Sequence, residues 1–282
     1  MSFLAMMTAL ALFHAWGSGE PVQQDDWFCR WQSRVGSWGL LPAVTLAFAV
    51  LAPALLAGLI LDALRPALFG LLWFGGAVVV LLYALGRGDY RATRERYRRY
   101  CREGDFEAAW IAADAEWDLV SADASPGSPG EVHREIQSGL FYEGYQRWFA
   151  PLFYFLLLGP VGALAYRLLQ LCRGRLAPAL CARVLHLLDW VPVRVLAAVF
   201  TITGDFVASR DELLASLADF DSDAGSTLSA VGGAAMGGRR PGDGDEDLGG
   251  AAAAWDRSAE ELLTRSAGAW LIAISLLVLF GP

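Results

Sequence analysis

Residues 35–61 read VGSWGLLPAVTLAFAVLAPALLAGLIL, an uncharged run that stops only at Asp62. A bilayer core about 30 Å thick is crossed by about 20 apolar residues rising about 1.5 Å each. Val35–Leu61 is therefore long enough to span, even with Pro42 and Pro53 inside it. Asp62, Arg65 and Pro66 make a tight turn, and Pro66–Gly86 is a second uncharged stretch. Trp148–Tyr166, interrupted by Gly159-Pro160 and Gly162, is a third. Ser266–Pro282 is a fourth, short and almost purely aliphatic. The fold class that follows is an all-α membrane protein, a polytopic helical bundle.

Two further segments are ambiguous. Met1–Gly19 is uncharged but has no Arg ahead of its apolar run, so the positive region of a signal peptide is missing. It reads as a retained first helix, spanning or lying against the bundle. Val184–Thr203 carries His186, Asp189, Pro192 and Arg194. Its Leu, Ile, Val and Phe residues favour insertion by about 0.3–0.6 kcal/mol each, and a central Asp or Arg opposes it by about 2.5–3.5 kcal/mol each. The sums nearly cancel, so this helix needs shelter from its neighbours.

Composition agrees. Of 282 residues, 55% are hydrophobic and only 18% charged, and mean hydropathy is +0.39. Every basic residue among the 22 is Arg. Without lysine there is no phosphate-binding loop of the G-x-x-x-x-G-K-[ST] kind, no kinase-type chemistry and no Schiff base. The net charge of −8 and the lack of a separate basic domain argue against nucleic acid as a partner. Cys29, Cys101, Cys172 and Cys181 show no C-x-x-C spacing, so neither a zinc site nor a redox pair is expected.

Arginine placement sets the orientation. Arg87, Arg91, Arg94, Arg96, Arg98, Arg99 and Arg102 follow the Pro66–Gly86 helix and mark that end as cytoplasmic, together with Arg30 and Arg34. A full crossing by Trp148–Tyr166 would leave Arg167, Arg173, Arg175 and Arg183 outside. One escape is a re-entrant hairpin turning at Gly159-Pro160-Val161-Gly162. The other is a full crossing and a return through Val184–Thr203. Either way, residues 87–147 and 204–265 fall in the cytoplasm.

Residues 87–147 read as a cytoplasmic α-hairpin. Tyr90–Glu103 is an Arg-rich helix, Gly104-Asp105 a stop and a new N-cap, and Phe106–Asp118 has helical apolar spacing. Ser125-Pro126-Gly127-Ser128-Pro129-Gly130 is a linker, and from Glu131 a helix runs into the membrane. Such a hairpin caps the bundle or docks a partner. Residues 204–261 hold 13 acids and four Arg, a net of −9 that leaves the rest of the chain at +1. Within them, 219–254 is poor in large apolar residues and is expected to be a disordered acidic loop. Asp243, Asp245, Glu246 and Asp247 lack an EF-hand spacing.

Chemistry is best sought in Arg183–Arg194. At about 100° per residue, Arg183 and Arg194 fall nearly on one line, with His186 and Asp189 on the same half of the helix. Pro192 should kink it. Intramembrane ionisable groups mark functional sites or, alternatively, ion pairs that knit helices together. Tyr166 and Arg167, at the end of the broken third segment, and Glu143, Gln146 and Arg147, at its start, are further polar points. Gly86-Arg87-Gly88-Asp89 lacks the third glycine and the strand of a dinucleotide fingerprint.

These same words resemble the AmpE family, inner-membrane regulatory proteins linked to β-lactamase induction. Leu185-His186-Leu187-Leu188-Asp189-Trp190-Val191-Pro192-Val193-Arg194 is similar to its signature. Pro151-Leu152-Phe153-Tyr154, Leu158-Gly159-Pro160-Val161-Gly162-Ala163-Leu164, Tyr166-Arg167 and Leu81-Leu82-Tyr83-Ala84-Leu85-Gly86-Arg87-Gly88-Asp89 match it too. The likeness is specific from about residue 70 to 217. That family is similar in turn to the CobD/CbiB membrane enzymes, which join an aminopropanol arm to a corrin ring. The enzyme branch has a Glu-Asn-Thr-x-Asp-Gly run where this chain has Tyr142-Glu143-Gly144-Tyr145-Gln146-Arg147. It also tends to carry two Asp and an Asn where Leu185, His186 and Asp189 stand here.

The resemblance implies an inner-membrane signalling modulator of β-lactamase induction and cell-wall stress. Its partners are the lipid bilayer and a protein of the cell-wall recycling or β-lactamase pathway. The alternatives are an amide ligase or transferase of the adenosylcobinamide-phosphate synthase type and a muropeptide transporter. No catalytic residue, metal ligand or cofactor is assigned. The ligand-binding candidates are Arg183, His186, Asp189, Trp190, Arg194, Tyr166, Arg167, Glu143 and Arg147. The expected regions are membrane helices (1–86), a cytoplasmic insertion (87–147), a CobD/CbiB-like core (148–217), an acidic linker (218–261) and a C-terminal membrane helix (262–282).

Overall fold

The computed structural model describes residues 2–16, 23–86, 90–117, 128–237, 240–242 and 244–280. Arg87, Gly88, Asp89, Asp118, the 125–127 part of the linker, Asp243 and residues 281–282 lie outside them. Every element among the described residues is helical, and no strand occurs. Four apolar helical runs are long enough to cross a membrane: Pro42–Leu64, Ala67–Ala84, Pro129–Cys172 and Pro178–Thr203. The protein is thus an all-α, multi-pass membrane bundle. The chain divides into two compact units, Met1–Gly88 with Gln146–Asp189, and Asp89–Tyr145 with Trp190–Pro282.

In the first unit, α1 (Ser2–Trp16) and α2 (Asp26–Gly36) precede α3 (Pro42–Leu64) and α4 (Leu71–Ala84). α4 sits against α1, α3 and α8 (Ala150–Cys172). α1 is an apolar helix too short for the crossing length, and it lies on α4 and α8. The turn after α3 is held by an Asp62–Arg65 ion pair at 3.0 Å and by Arg65 over the Trp73 ring at 5.6 Å. Leu68, Phe69 and Gly70 all take positive φ there, a costly conformation for the two non-glycine residues.

Pro53 sits inside α3 and has no amide hydrogen, so the carbonyl of Ala49, four residues earlier, loses its helical donor. The Trp31 indole donates to that carbonyl at 3.1 Å. Trp31, Trp38 and Phe48 then form an aromatic cluster with centroids 5.3–6.1 Å apart.

α8 doubles back on itself. Gly159 has φ 68° and ψ −159°, outside any helix. The Tyr154 and Tyr166 rings stack at 5.0 Å and 20°, and Gln170 Nε2 donates to Gln146 Oε1 at 3.3 Å. On a straight helix these pairs would lie about 18 Å and about 36 Å apart along the axis. Residues 150–158 and 160–172 are therefore two antiparallel arms. In this unit glycine permits close approach at Gly162 and at Gly86. A Cβ on Gly162 would sit 2.6 Å from the Tyr154 carbonyl oxygen, and one on Gly86 1.7 Å from Arg147 Cγ.

The second unit holds α5 (Tyr90–Glu103), α6 (Phe106–Trp117), α7 (Pro129–Gly144), α10 (Phe206–Ala218), α11 (Ala224–Ala235) and α12 (Leu248–Phe280). Asp105 caps α6 by accepting the Ala108 amide at 2.9 Å, and Ser128 caps α7. α5 packs on α6 and α12, and α7 on α6, α11 and α12. A π-helical turn, Tyr145–Phe149, joins α7 to α8. The long α9 (Pro178–Thr203) contributes its residues up to Asp189 to the first unit and those from Trp190 onward to the second.

The composition of 219–254 predicts disorder, and here the structure differs. Asp223 caps α11, accepting the Ser226 amide at 3.0 Å, and Leu228 and Val231 are fully buried. The composition argument counts large apolar side chains, whereas α11 packs through small ones. A Cβ on Gly225 would meet Ser138 Oγ at 2.7 Å, and one on Gly232 the Phe141 ring at 2.7 Å. Bare glycine lets the α11 backbone approach α7 closely and offsets its ordering cost with contact. α12 likewise begins at Leu248 and runs unbroken past residue 261, where the sequence sets the end of a linker.

Candidate functional site

The Leu185–Arg194 segment is built from α9. Its first unusual feature is Pro192, which deprives the Leu188 carbonyl of its helical donor. Tyr154, on the first arm of α8, fills that place and donates to Leu188 O at 2.8 Å. Tyr166, on the second arm, donates to Asp189 Oδ1 at 2.7 Å, in a pair that is buried on both sides. The stacked tyrosines thus hold two successive residues of α9 from the folded-back α8. Cys181, nearer the start of α9, donates to Leu169 O.

Beyond Asp189, Arg194 is 5% exposed. Its guanidinium donates to Ser216 O at 3.1 Å, to Trp190 O at 3.2 Å and to Asp219 O. Ser216 and Asp219 stand at the C-terminal end of α10, where carbonyls lack helical donors, so Arg194 is a side-chain cap on that helix. Its guanidinium also lies 4.4 Å from the Trp190 ring, which stacks on Phe220 at 4.5 Å. The carboxylate of Asp219 turns the other way. The Ser222 hydroxyl and the amides of Asp221 and Ser222 donate to it and hold it below its ordinary pKa.

The predicted candidates therefore separate. Tyr166 and Asp189 are bonded together, and Trp190 and Arg194 form a second cluster. Arg183 is exposed and His186 half-buried, although an ideal helix sets them on the same half as Asp189 and Arg194. Arg167 donates to Gln170 Oε1 at 3.0 Å, extending the Gln146–Gln170 link. Arg147 is buried, and its carbonyl accepts the Gly86 amide at 2.8 Å. Glu143 is buried on α7 in the second unit. Among the described residues, no group of three or more His, Cys, Asp and Glu is placed to hold a metal ion.

A second polar core had no sequence signal, because its members lie 162 residues apart. Arg94 Nε donates to both carboxylate oxygens of Asp256 at 3.2 and 3.3 Å, and each side chain is 1% exposed. Arg98 joins the same carboxylate at 2.5 Å and also reaches Glu260. Beside it, Tyr97 bonds His133, whose other ring nitrogen meets Gln137. Burial is the main reason that the Tyr97 hydroxyl is raised well above its ordinary pKa and that the Cys101 thiol is pushed up to about 11.

Residues 1–237 match the family described as regulatory signalling modulator protein AmpE. Protein AmpE of Shigella flexneri is 29% identical over 179 residues, 57% of this chain and 61% of that protein. The chain thus spans about three fifths of the length of this curated relative. No solved structure matches. With the family match covering most of its length, this chain belongs to the AmpE family, within the CobD/CbiB-like superfamily.

Proposed function

We propose that the chain is an inner-membrane regulatory protein that modulates β-lactamase induction in response to cell-wall stress, through a protein partner. One observation carries this reading: Leu188 O, Asp189 and Arg194 of the Leu185–Arg194 segment are all engaged in structural hydrogen bonds. Leu188 O is taken by Tyr154, Asp189 accepts from Tyr166, and Arg194 caps α10. A helix with an internal proline, held by directional bonds from its neighbours, is an element whose arrangement a signal can bias, which suits a relay. The family's described role as a regulatory signalling modulator points the same way.

In this reading residues 87–147 and 204–265 are cytoplasmic. The fold-back of α8 supports that orientation, because it keeps Arg167 and Arg173 on the same side as Arg147. The experiment is complementation of a strain lacking its own copy, read as β-lactamase activity after exposure to a β-lactam. Wild type restores the induction profile, and the Tyr154→Phe and Arg194→Ala chains do so less well. Unchanged induction in the strain lacking the protein would overturn the reading.

A further inference from the structure

One end of the first unit carries a basic, aromatic surface that neither the family match nor the α9 segment explains. α2 is amphipathic: Phe28, Gln32 and Val35 are buried, while Arg30 and Arg34, four residues apart, are exposed. Three contacts fix α2 to the end of α8 and the segment that follows it. Arg175 donates to Cys29 Sγ at 2.8 Å, Gln32 donates to Leu171 O at 3.0 Å, and Gly36 lies against Leu176. Arg175 is exposed as well. None of Arg30, Arg34 and Arg175 has a carboxylate partner among the described residues.

The neighbourhood identifies the anion. Val44, Phe48, Leu51, Leu55 and Leu59 are exposed at helical spacing along α3, the stripe expected to face acyl chains. That stripe leads into the half-exposed Trp38, whose ring lies 5.3 Å from Phe48 and 6.1 Å from Trp31 on α2. Indole rings belong at the headgroup layer of a bilayer. A guanidinium set at that depth faces lipid phosphates, and its planar fork suits phosphate oxygens.

We propose that Arg30, Arg34 and Arg175 form a binding surface for the phosphate headgroups of anionic phospholipids, bounded by Trp38 on the acyl-chain side. The proposal does not depend on the signalling reading. It seats α2 on the membrane surface through headgroups of one charge class.

The test uses the full chain in detergent micelles, titrated with phosphatidylglycerol, phosphatidylcholine or inorganic phosphate and followed by melting temperature. Phosphatidylglycerol should raise it saturably, with an apparent affinity that falls as salt rises. Each basic side chain at an anionic surface contributes about fivefold. The triple variant Arg30→Gln, Arg34→Gln, Arg175→Gln should therefore bind phosphatidylglycerol on the order of a hundredfold more weakly. Arg65→Gln, at the α3–α4 turn, should bind like wild type. Equal stabilisation by phosphatidylcholine, or full phosphatidylglycerol affinity in a folded triple variant, would overturn the proposal. So would inorganic phosphate reproducing the shift, since that marks a site for free anions.

Discussion

Tyr154 donates its hydroxyl to the carbonyl oxygen of Leu188 at 2.8 Å, and Leu188 stands four residues before Pro192. The side chain of one helix thus replaces the amide that proline removes from another. Trp31 does the same for Ala49, four residues before Pro53. In a membrane, where water cannot satisfy a freed carbonyl, such a donor makes an internal proline tolerable. Two prolines that read as interruptions are thereby built into the bundle.

The bond makes a thermodynamic prediction. Tyr154→Phe leaves Leu188 O without this donor and should destabilise the protein by about 1–3 kcal/mol. Pro192→Ala restores an amide at position 192, so on that background Tyr154→Phe should cost little. Denaturant unfolding in detergent of the four proteins in the cycle measures the coupling. Equal costs on both backgrounds would show that Tyr154 acts through packing alone.

Asp189 should tolerate Asn better than Ala. Asn keeps an oxygen acceptor for the Tyr166 hydroxyl, while Ala leaves that buried hydroxyl without it, at a cost of about 1–3 kcal/mol. Complementation by Asp189→Asn should stay near wild type and that by Asp189→Ala should drop. Loss of both to the same degree would assign the carboxylate charge itself a role in signalling.

In the second unit, Asp256→Ala strands Arg94 in a buried site. Breaking one side of a buried ion pair costs about 3–5 kcal/mol. The expected outcome is a large fall in thermal stability, greater than for Glu260→Ala, whose side chain is about one-third exposed. Matched losses in the two variants would contradict the packing described for Arg94.

Thiol reactivity separates the cysteines. With its pKa pushed up to about 11 by burial, Cys101 presents almost no thiolate at pH 8. In the native protein Cys29, which is half-buried, should react with a soluble maleimide first, and Cys101 only after unfolding. Mass spectrometry of the labelled peptides reads the order, and early modification of Cys101 would show that α5 is not packed as described.

Two membrane segments were legible because length and lack of charge decide them. Val35–Leu61 and Pro66–Gly86 correspond to α3 and to the run ending at Ala84. The re-entrant turn at Gly159-Pro160 was one of two open routes, since a local break does not say whether the chain continues or returns. The fold-back itself is read from the stacking of Tyr154 on Tyr166 and from the Gln146–Gln170 bond. A proline does announce an orphan carbonyl four residues earlier, but not which side chain satisfies it, so Trp31 and Tyr154 were invisible as donors. α11 was missed because glycine and alanine packing depends on the surface that they meet, here Ser138 and Phe141.

α8 turns back at Gly159 and so holds α9 from both arms. Cysteines placed at Gln146 and Gln170 on a cysteine-free background, treated with a short bismaleimide in native membranes, test it directly. A folded-back α8 predicts an efficient cross-link within one chain, because the two side chains touch at 3.3 Å. A straight helix holds them about 36 Å apart. Failure to cross-link, with the two cysteines labelled from opposite faces of the membrane, would show that α8 runs straight through.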